Sequence, residues 1–526
     1  MDFYTLCLWL LFLLILPLLP LILHKKREVT RLVDQVLTVE DDPSVVDSSG
    51  RVNSRPAFPP SPPKLPIIGN LHYLSKLPHR SLWWLSQKHG PVMLYHAGSK
   101  PVLVISSAEM AREVLKTHDH VFCNRPPIFA SRKLFRGIAF APYGDDWREM
   151  RKICVLELFS ARRVQSFQSV RIEEVANTID SISLSSSCVV DLREKLKFLT
   201  DHIFQRIAFG TSYKGKEPSG SPTIMEVVHE YLFIVGTVSL AKSFPYVRWI
   251  VDLFLRLRPS LKRKFHVLHS LFQKVIEEHK DPNRPRPEHE DIVDVLLQLE
   301  IDHRSIKAVL LDILVGGIDT STVTMVWAMA ELVKNPGVMK KVQDEVRSCV
   351  GNKANVEESD LHRLHYLKMV LKETLRLHPP GAILIPRESM KHCYINGYDV
   401  YPETMVIVNI WAIGRDPESW NKPEEFFPER FMESAIDYKG HHFEFLPFGA
   451  GRRGCPGISL GSVIMELTLA NLLYSFNWKL PTGMTIEDLD MEEAGIFHLH
   501  KKSGLQLVPT KYDSDSFRKE VTFVDE

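Results

Sequence analysis

A mostly helical fold with small β-sheets, carried behind an N-terminal transmembrane helix, is expected from three features of the chain. Long apolar-periodic stretches run from Ser305 to Asn335 and from Ile458 to about Phe476. Strand-like runs gather in two places, around Val92–Ile105 and around Tyr394–Val408. The opening segment, Phe3 to Leu23, is apolar almost throughout. With 526 residues, 44% of them hydrophobic, the chain can bury a large core in one big domain or two lobes.

Phe3–Leu23 is interrupted only by Thr5, Pro17 and Pro20. As a helix it spans about 30 Å, the thickness of a bilayer core. His24-Lys25-Lys26-Arg27 follows, and the positive-inside rule keeps the downstream chain in the cytosol. A cleavable signal peptide carries its charge first; here Asp2 leads and the basic cluster follows, so residues 3–23 read as an uncleaved anchor. Residues 24–58 read as a basic and polar linker. The proline-rich run from Pro59 to Asn70 then stiffens the entry to a folded body expected over 59–512.

Within that body, Val92–Tyr95 and Val102–Ile105 flank Gly98 as a hairpin, and Asn396-Gly397 carries a type I′ turn signal. Ile234–Leu257 mixes Phe244, Tyr246, Trp249 and Phe254 with basic residues, and reads equally as core or as a membrane-dipping surface. Residues 513–526 form a polar tail. Lys+Arg 65 against Asp+Glu 64 leaves a net charge of +1, which argues against nucleic acid as a partner. Seven cysteines without framework spacing fit a reducing compartment.

The densest chemical signal is Phe448-Gly449-Ala450-Gly451-Arg452-Arg453-Gly454-Cys455-Pro456-Gly457. It presents one cysteine from a glycine-rich loop just before a long helix. Pro456 suits the first helical position, which puts Cys455 at a helix N-terminus where the dipole favours a thiolate. A stabilised thiolate with an arginine close by suits a haem iron and its propionates. The same glycines satisfy the dinucleotide fingerprint, but Pro447 precedes them and no acidic residue stands near Tyr474. Zinc would need a second Cys or His at close spacing. A structural cysteine beside a turn remains compatible with the loop alone.

Elsewhere, Gly316-Gly317-Ile318-Asp319-Thr320-Ser321 interrupts a long helical pattern. Each mid-helix glycine costs about 1 kcal/mol against alanine. A local kink would open room for a small ligand, beside a carboxylate and a hydroxyl able to move protons; a purely structural kink is the competing account. Glu373 and Arg376 lie one helical turn apart, as do Trp147 and Arg151.

Phe-x-x-Gly-x-Arg-x-Cys-x-Gly resembles the haem-binding signature of the cytochrome P450 family. By chance, its Phe, Gly and Cys positions recur about once in a thousand sequences of this composition. The wording around Pro62–Asn70, Glu373–Pro380 and Pro447–Arg453 is similar to the plant microsomal seventy-one clan. The resemblance implies the fold of that family, a helix-rich lobe with a smaller β-rich lobe, over residues 59–512.

It implies haem b with Cys455 as axial ligand, framed by Phe448. It implies Arg453, Trp147, Arg151 and, less directly, Arg387 at the propionates. Gly316 and Gly317 belong to the oxygen-activating motif with Asp319 and Thr320 handling protons. Glu373, Arg376 and Arg430 would form a structural charge triad. The implied reaction inserts one oxygen atom from dioxygen into a small lipophilic substrate. Electrons would come from NADPH through cytochrome P450 reductase, with cytochrome b5 as an optional second donor, at the endoplasmic reticulum membrane. A haem-thiolate isomerase or dehydratase, and a non-catalytic scaffold, are the rival classes; the intact Asp319-Thr320 pair argues against the first.

Overall fold

The computed structural model describes residues 57–126, 137–211, 259–284, 289–495 and 498–512. The expected anchor, nearly all of the linker, Ile234–Leu257 and the tail lie outside them. From Phe58 onward the chain forms one compact unit.

The proline run is sewn onto the first strand. Asn70, fully buried, donates from Nδ2 to the carbonyls of Pro62 (3.0 Å) and Pro63 (2.9 Å). Its Oδ1 accepts from the His96 amide at 2.8 Å. Gly69 sits at φ +62°, and a Cβ there would stand 2.4 Å from the His96 carbonyl oxygen. Only glycine fits that approach.

The strands are β1 (Val92–Ala97), β2 (Lys100–Ile105), β3 (Val190–Asp191), β4 (Arg387–Glu388), β5 (Cys393–Ile395), β6 (Tyr398–Val400), β7 (Met405–Val408), β8 (Phe476–Lys479), β9 (Glu493–Ala494), β10 (His500–Lys501) and β11 (Gln506–Lys511). β1 and β2 make the expected hairpin. β5 and β6 make a second, turning through Asn396 at φ 51° and Gly397 at φ 80°, both positive as a type I′ turn requires. β7 leaves that hairpin and pairs with β2 in parallel, Val102 opposite Met405, while β4 covers its far edge. One strand of the second group, β7, is therefore spliced onto the first to make a sheet of order β1-β2-β7-β4, while β5 and β6 form a two-stranded sheet of their own.

The helices that build the site are α1 (Pro78–His89), α2 (Asp119–Phe122), α3 (Asp145–Ile153), α4 (Leu192–Phe209), α5 (His303–Lys334), α6 (Pro336–Val350), α7 (His365–Leu377) and α8 (Ile458–Ser475). Asp302 starts α5 by accepting from the amides of Arg304 and Ser305, and Asp191 starts α4 in the same way. Gly210, at φ 72°, ends α4. By length and composition α5 and α8 could each cross a bilayer, yet both are largely buried core helices. Their apolar residues point all round the axis, the pattern of a helix with no solvent face. On α5, Trp327 is fully buried, stacks on His378 (centroids 3.9 Å apart, 4° between planes) and donates to the Leu499 carbonyl at 3.1 Å. Removing a side chain of that size from a packed core costs about 3–5 kcal/mol.

Candidate active site

The Cys455 loop is shaped by its own backbone bonds. The amide of Cys455 donates to the Phe448 carbonyl at 2.9 Å, and that of Gly454 to Gly451 at 3.0 Å. Gly449 and Gly451 take φ of 66° and 70°. A Cβ on Gly451 would lie 2.3 Å from the Leu115 carbonyl oxygen and 2.7 Å from Asp119 Oδ1, so the loop is clamped against α2 through a position only glycine can fill. Phe448 is partly buried, with its ring 5.3 Å from that of Tyr438.

Two expectations for this loop need correcting. Pro456 is not the first helical residue: α8 begins at Ile458 with Gly457 as its N-cap, and Pro456 lies in the turn before it. The thiol is not lowered by its setting either. Burial pushes the Cys455 thiol above its ordinary value, and the Gly457 amide and Arg151 pull it only part of the way back. A backbone amide is too weak to offset desolvation; a metal cation, by contrast, deprotonates a coordinating thiol outright. Although strongly desolvated, Cys455 keeps exposed surface, and so does Gly316 in the middle of α5. A Cβ on Gly316 would meet nothing within 4 Å.

Arginines surround the loop. Arg453 lies over the Trp147 ring at 4.1 Å and donates to the carbonyls of Cys123 (2.7 Å), Ile138 (3.1 Å) and Ala141 (2.8 Å). Trp147 donates to the same Ile138 oxygen at 3.0 Å. Arg151 donates to the Gly454 carbonyl at 2.6 Å. Arg387 is buried between Asp119 and the Ala450 carbonyl, 2.8 Å from each. Arg125, also buried, donates to Ala139 (3.0 Å), to Pro386 (2.9 Å) and to the Ile385 carbonyl.

Asp119 is the single carboxylate that the described residues bring against this group, and it is shared with Arg452. Burial, with mutual repulsion behind it, holds Arg453 down to about 10 and Arg125 well below the ordinary guanidinium range. Neutral carbonyls satisfy these donors without cancelling their charge. A half-buried excess of positive charge calls for anions.

On α5 the two glycines have different reasons. A Cβ on Gly317 would strike the Phe204 ring of α4 at 2.2 Å, so this glycine admits close helix packing. The helix runs unbroken through both. Thr320 Oγ1 donates to the Gly316 carbonyl at 2.6 Å, a local bond that competes with the helix ladder. Asp319 Oδ2 lies 3.5 Å from His498 Nδ1. Asp312, two turns before Thr320, accepts from the Ala139 amide at 3.1 Å, and burial pushes its carboxyl up to about 7.

The triad residues come together. Glu373 receives Arg376 at 2.8 Å on each oxygen and Arg430 at 2.9 Å, with Glu373 and Arg376 fully buried. Arg376 also donates to the carbonyls of Gly414, Pro423 and Glu425.

Arg125, Asp119, Asp312 and His498 escaped the sequence reading. Asp312 alone carried a local signal, its four-residue spacing to Gly316 and Thr320 on one helix. The others reach the site only through tertiary contacts.

A cysteine loop clamped by glycines, a ring of buried cations and a hydroxyl on a core helix together define a haem-thiolate protein. The Cytochrome P450 family model matches residues 59–507. Cytochrome P450 71B36 of Arabidopsis thaliana is 46% identical, covering 86% of this chain and 93% of that one. Strychnine-11-hydroxylase of Strychnos nux-vomica is 48% identical, covering 86% and 91%. A zebra fish cytochrome P450 structure with Abiraterone matches with a TM-score of 0.66 at 28% identity, covering 83% of this chain and all of that one. The chain belongs to the cytochrome P450 family. It is a haem-thiolate monooxygenase of specialised metabolism, it uses haem b, and it takes electrons from a reductase to oxidise a lipophilic substrate. The residues fit that cofactor: an open thiol for the iron, unbalanced buried arginines for two carboxylates, and an uncrowded glycine face on α5.

Proposed function

We propose that Cys455 would ligate the haem iron and that Trp147, Arg151, Arg387 and Arg453, joined by Arg125, would hold the propionates. The observation that carries this is the exposed Cys455 thiol beside arginines of which only Arg387, with the neighbouring Arg452, has a carboxylate partner, Asp119. When bound, haem supplies an iron for dioxygen activation, with thiolate ligation favouring O–O cleavage. Phe448 fixes the loop by accepting the Cys455 amide, while Gly316 leaves room beside the helix. Thr320 holds a hydroxyl proton against the Gly316 carbonyl, from which it could be handed on, and the neighbouring Asp319 carboxyl could return it. Glu373, Arg376 and Arg430 hold the fold around the site.

Thr320→Ala keeps helix propensity while removing the hydroxyl. Haem binding should survive, whereas hydrogen peroxide per NADPH consumed should rise and product per NADPH should fall. An unchanged ratio in microsomes containing reductase would remove Thr320 from proton delivery. The relative named for strychnine makes compounds of that kind the first substrates to try in the same microsomes.

The electron donor is NADPH–cytochrome P450 reductase, with cytochrome b5 as a second source. The protein is a single-pass protein of the endoplasmic reticulum membrane with its body in the cytosol, supported by the apolar run at 3–23 and the basic cluster behind it. Deleting Met1–Ala57 should leave haem content intact and move most of the protein from membrane to soluble fractions. A deletion variant that fails to take up haem would place residues before Phe58 in the fold.

A further inference from the structure

We infer that His498 positions Asp319 and refills it with protons from solvent, an inference that rests on the reading of Asp319 as a proton-handling residue. His498 Nδ1 lies 3.5 Å from Asp319 Oδ2, and their side chains are 19% and 16% exposed. The pair thus has one end on α5 beside Thr320 and retains access to water.

The imidazole is held there by its backbone. Leu499 donates to the Pro380 carbonyl at 2.8 Å and accepts from Trp327 of α5 at 3.1 Å. The His498 carbonyl accepts from His500, either as its amide or as its ring Nδ1, at 3.1 Å. Gly495, at φ +101°, leaves that carbonyl room, since a Cβ would come within 2.2 Å of it. Leu499 is therefore pinned to the helix that carries Asp319, and His498 stands next to it in the chain.

Each oxygen insertion consumes dioxygen, NADPH and one solvent proton, giving hydroxylated product, water and NADP+. The hydride of NADPH supplies the electron pair that reduces the second oxygen atom to water. In the proposed relay the N–H bond of protonated His498 breaks as an O–H bond forms at Asp319 Oδ2, and the ring then regains its proton from water. His498 faces Asp319; His500 on β10 interacts with both, and Arg193 at the start of α4 acts on His500. Burial, with Arg193 and His498 behind it, disfavours the cationic form of His500, and it is His498, not His500, that faces the Asp319 carboxylate.

The test uses the full-length enzyme in microsomes with reductase and ethoxycoumarin as probe. It reads hydrogen peroxide per NADPH, a ratio defined whether or not the probe is oxygenated. His498→Gln should leave the carbon monoxide spectrum unchanged and raise that ratio about 3-fold, less than a whole general-acid contribution because water substitutes in part. His498→Lys keeps a proton-bearing group facing Asp319, so its ratio should stay low, near that of the natural protein. It is also the variant to read if His498→Gln binds no haem. Adding His498→Gln to Asp319→Asn should change nothing further.

If Asp319→Asn raises the ratio while His498→Gln matches the natural protein, the inference about His498 is overturned and the role of Asp319 stands. A ratio in His498→Lys as high as in the glutamine variant would overturn the relay in favour of packing. If Asp319→Asn itself leaves the ratio unchanged, the underlying reading of Asp319 fails.

Discussion

Cys455→Ser is expected to abolish the red-shifted Soret band of the reduced carbon monoxide complex together with all NADPH-dependent product. A serine oxygen fits the same loop, because the clamp is made by Gly449, Gly451 and the Cys455 amide and not by the sulfur. The variant should therefore fold and still collect some haem, which separates loss of ligation from loss of structure. Cys123 and Cys154 are buried thiols pushed upward by burial. Serine at either, or at Cys349, should leave the thiolate spectrum in place. Persistence of that spectrum in Cys455→Ser would end the assignment.

Glu373→Gln should be nearly as severe by a different route. It removes the one negative charge that Arg376 and Arg430 share inside the protein. Breaking a buried ion pair from one side costs about 3–5 kcal/mol, against a typical total stability of about 5–15 kcal/mol. The expected result is a large loss of haem-loaded protein per unit of expressed chain, measured by carbon monoxide difference spectrum against immunoblot. Arg430 is held by further carbonyls at its loop, those of Asn421, Lys422 and Glu425, so Arg430→Lys should lose less. Natural haem content in Glu373→Gln would show that the surrounding carbonyls suffice to hold both arginines.

What could be read from residues in advance was whatever is encoded locally. The hairpin at Val92–Ile105, the type I′ turn at Asn396-Gly397 and the long helices α5 and α8 follow from periodicity and turn chemistry within a few residues. The loop before Cys455 was legible because glycines with positive φ and a lone cysteine are rare in that combination. The splice of β7 onto β2 was not, since nothing near Val102 or Met405 names its partner. For the same reason Asp119 and Arg125 went unseen: each matters only because distant chain folds over it. Gly316-Gly317 was read as one device, yet Gly317 makes way for Phe204 and only Gly316 opens toward space. The upward shift of the Cys455 thiol is not legible locally, because it comes from burial by distant chain, which outweighs the favourable Gly457 amide.

The splice also sets a timetable for biosynthesis. β2 leaves the ribosome about 300 residues before β7, its parallel neighbour. At about 5–20 residues per second the wait lasts roughly 15–60 s. Throughout it, the β1–β2 hairpin offers an unpaired edge with Leu103 and Ile105, both wholly buried in the finished protein. Nascent chains stalled before Met405 should therefore be the stage at which chaperones hold this protein longest.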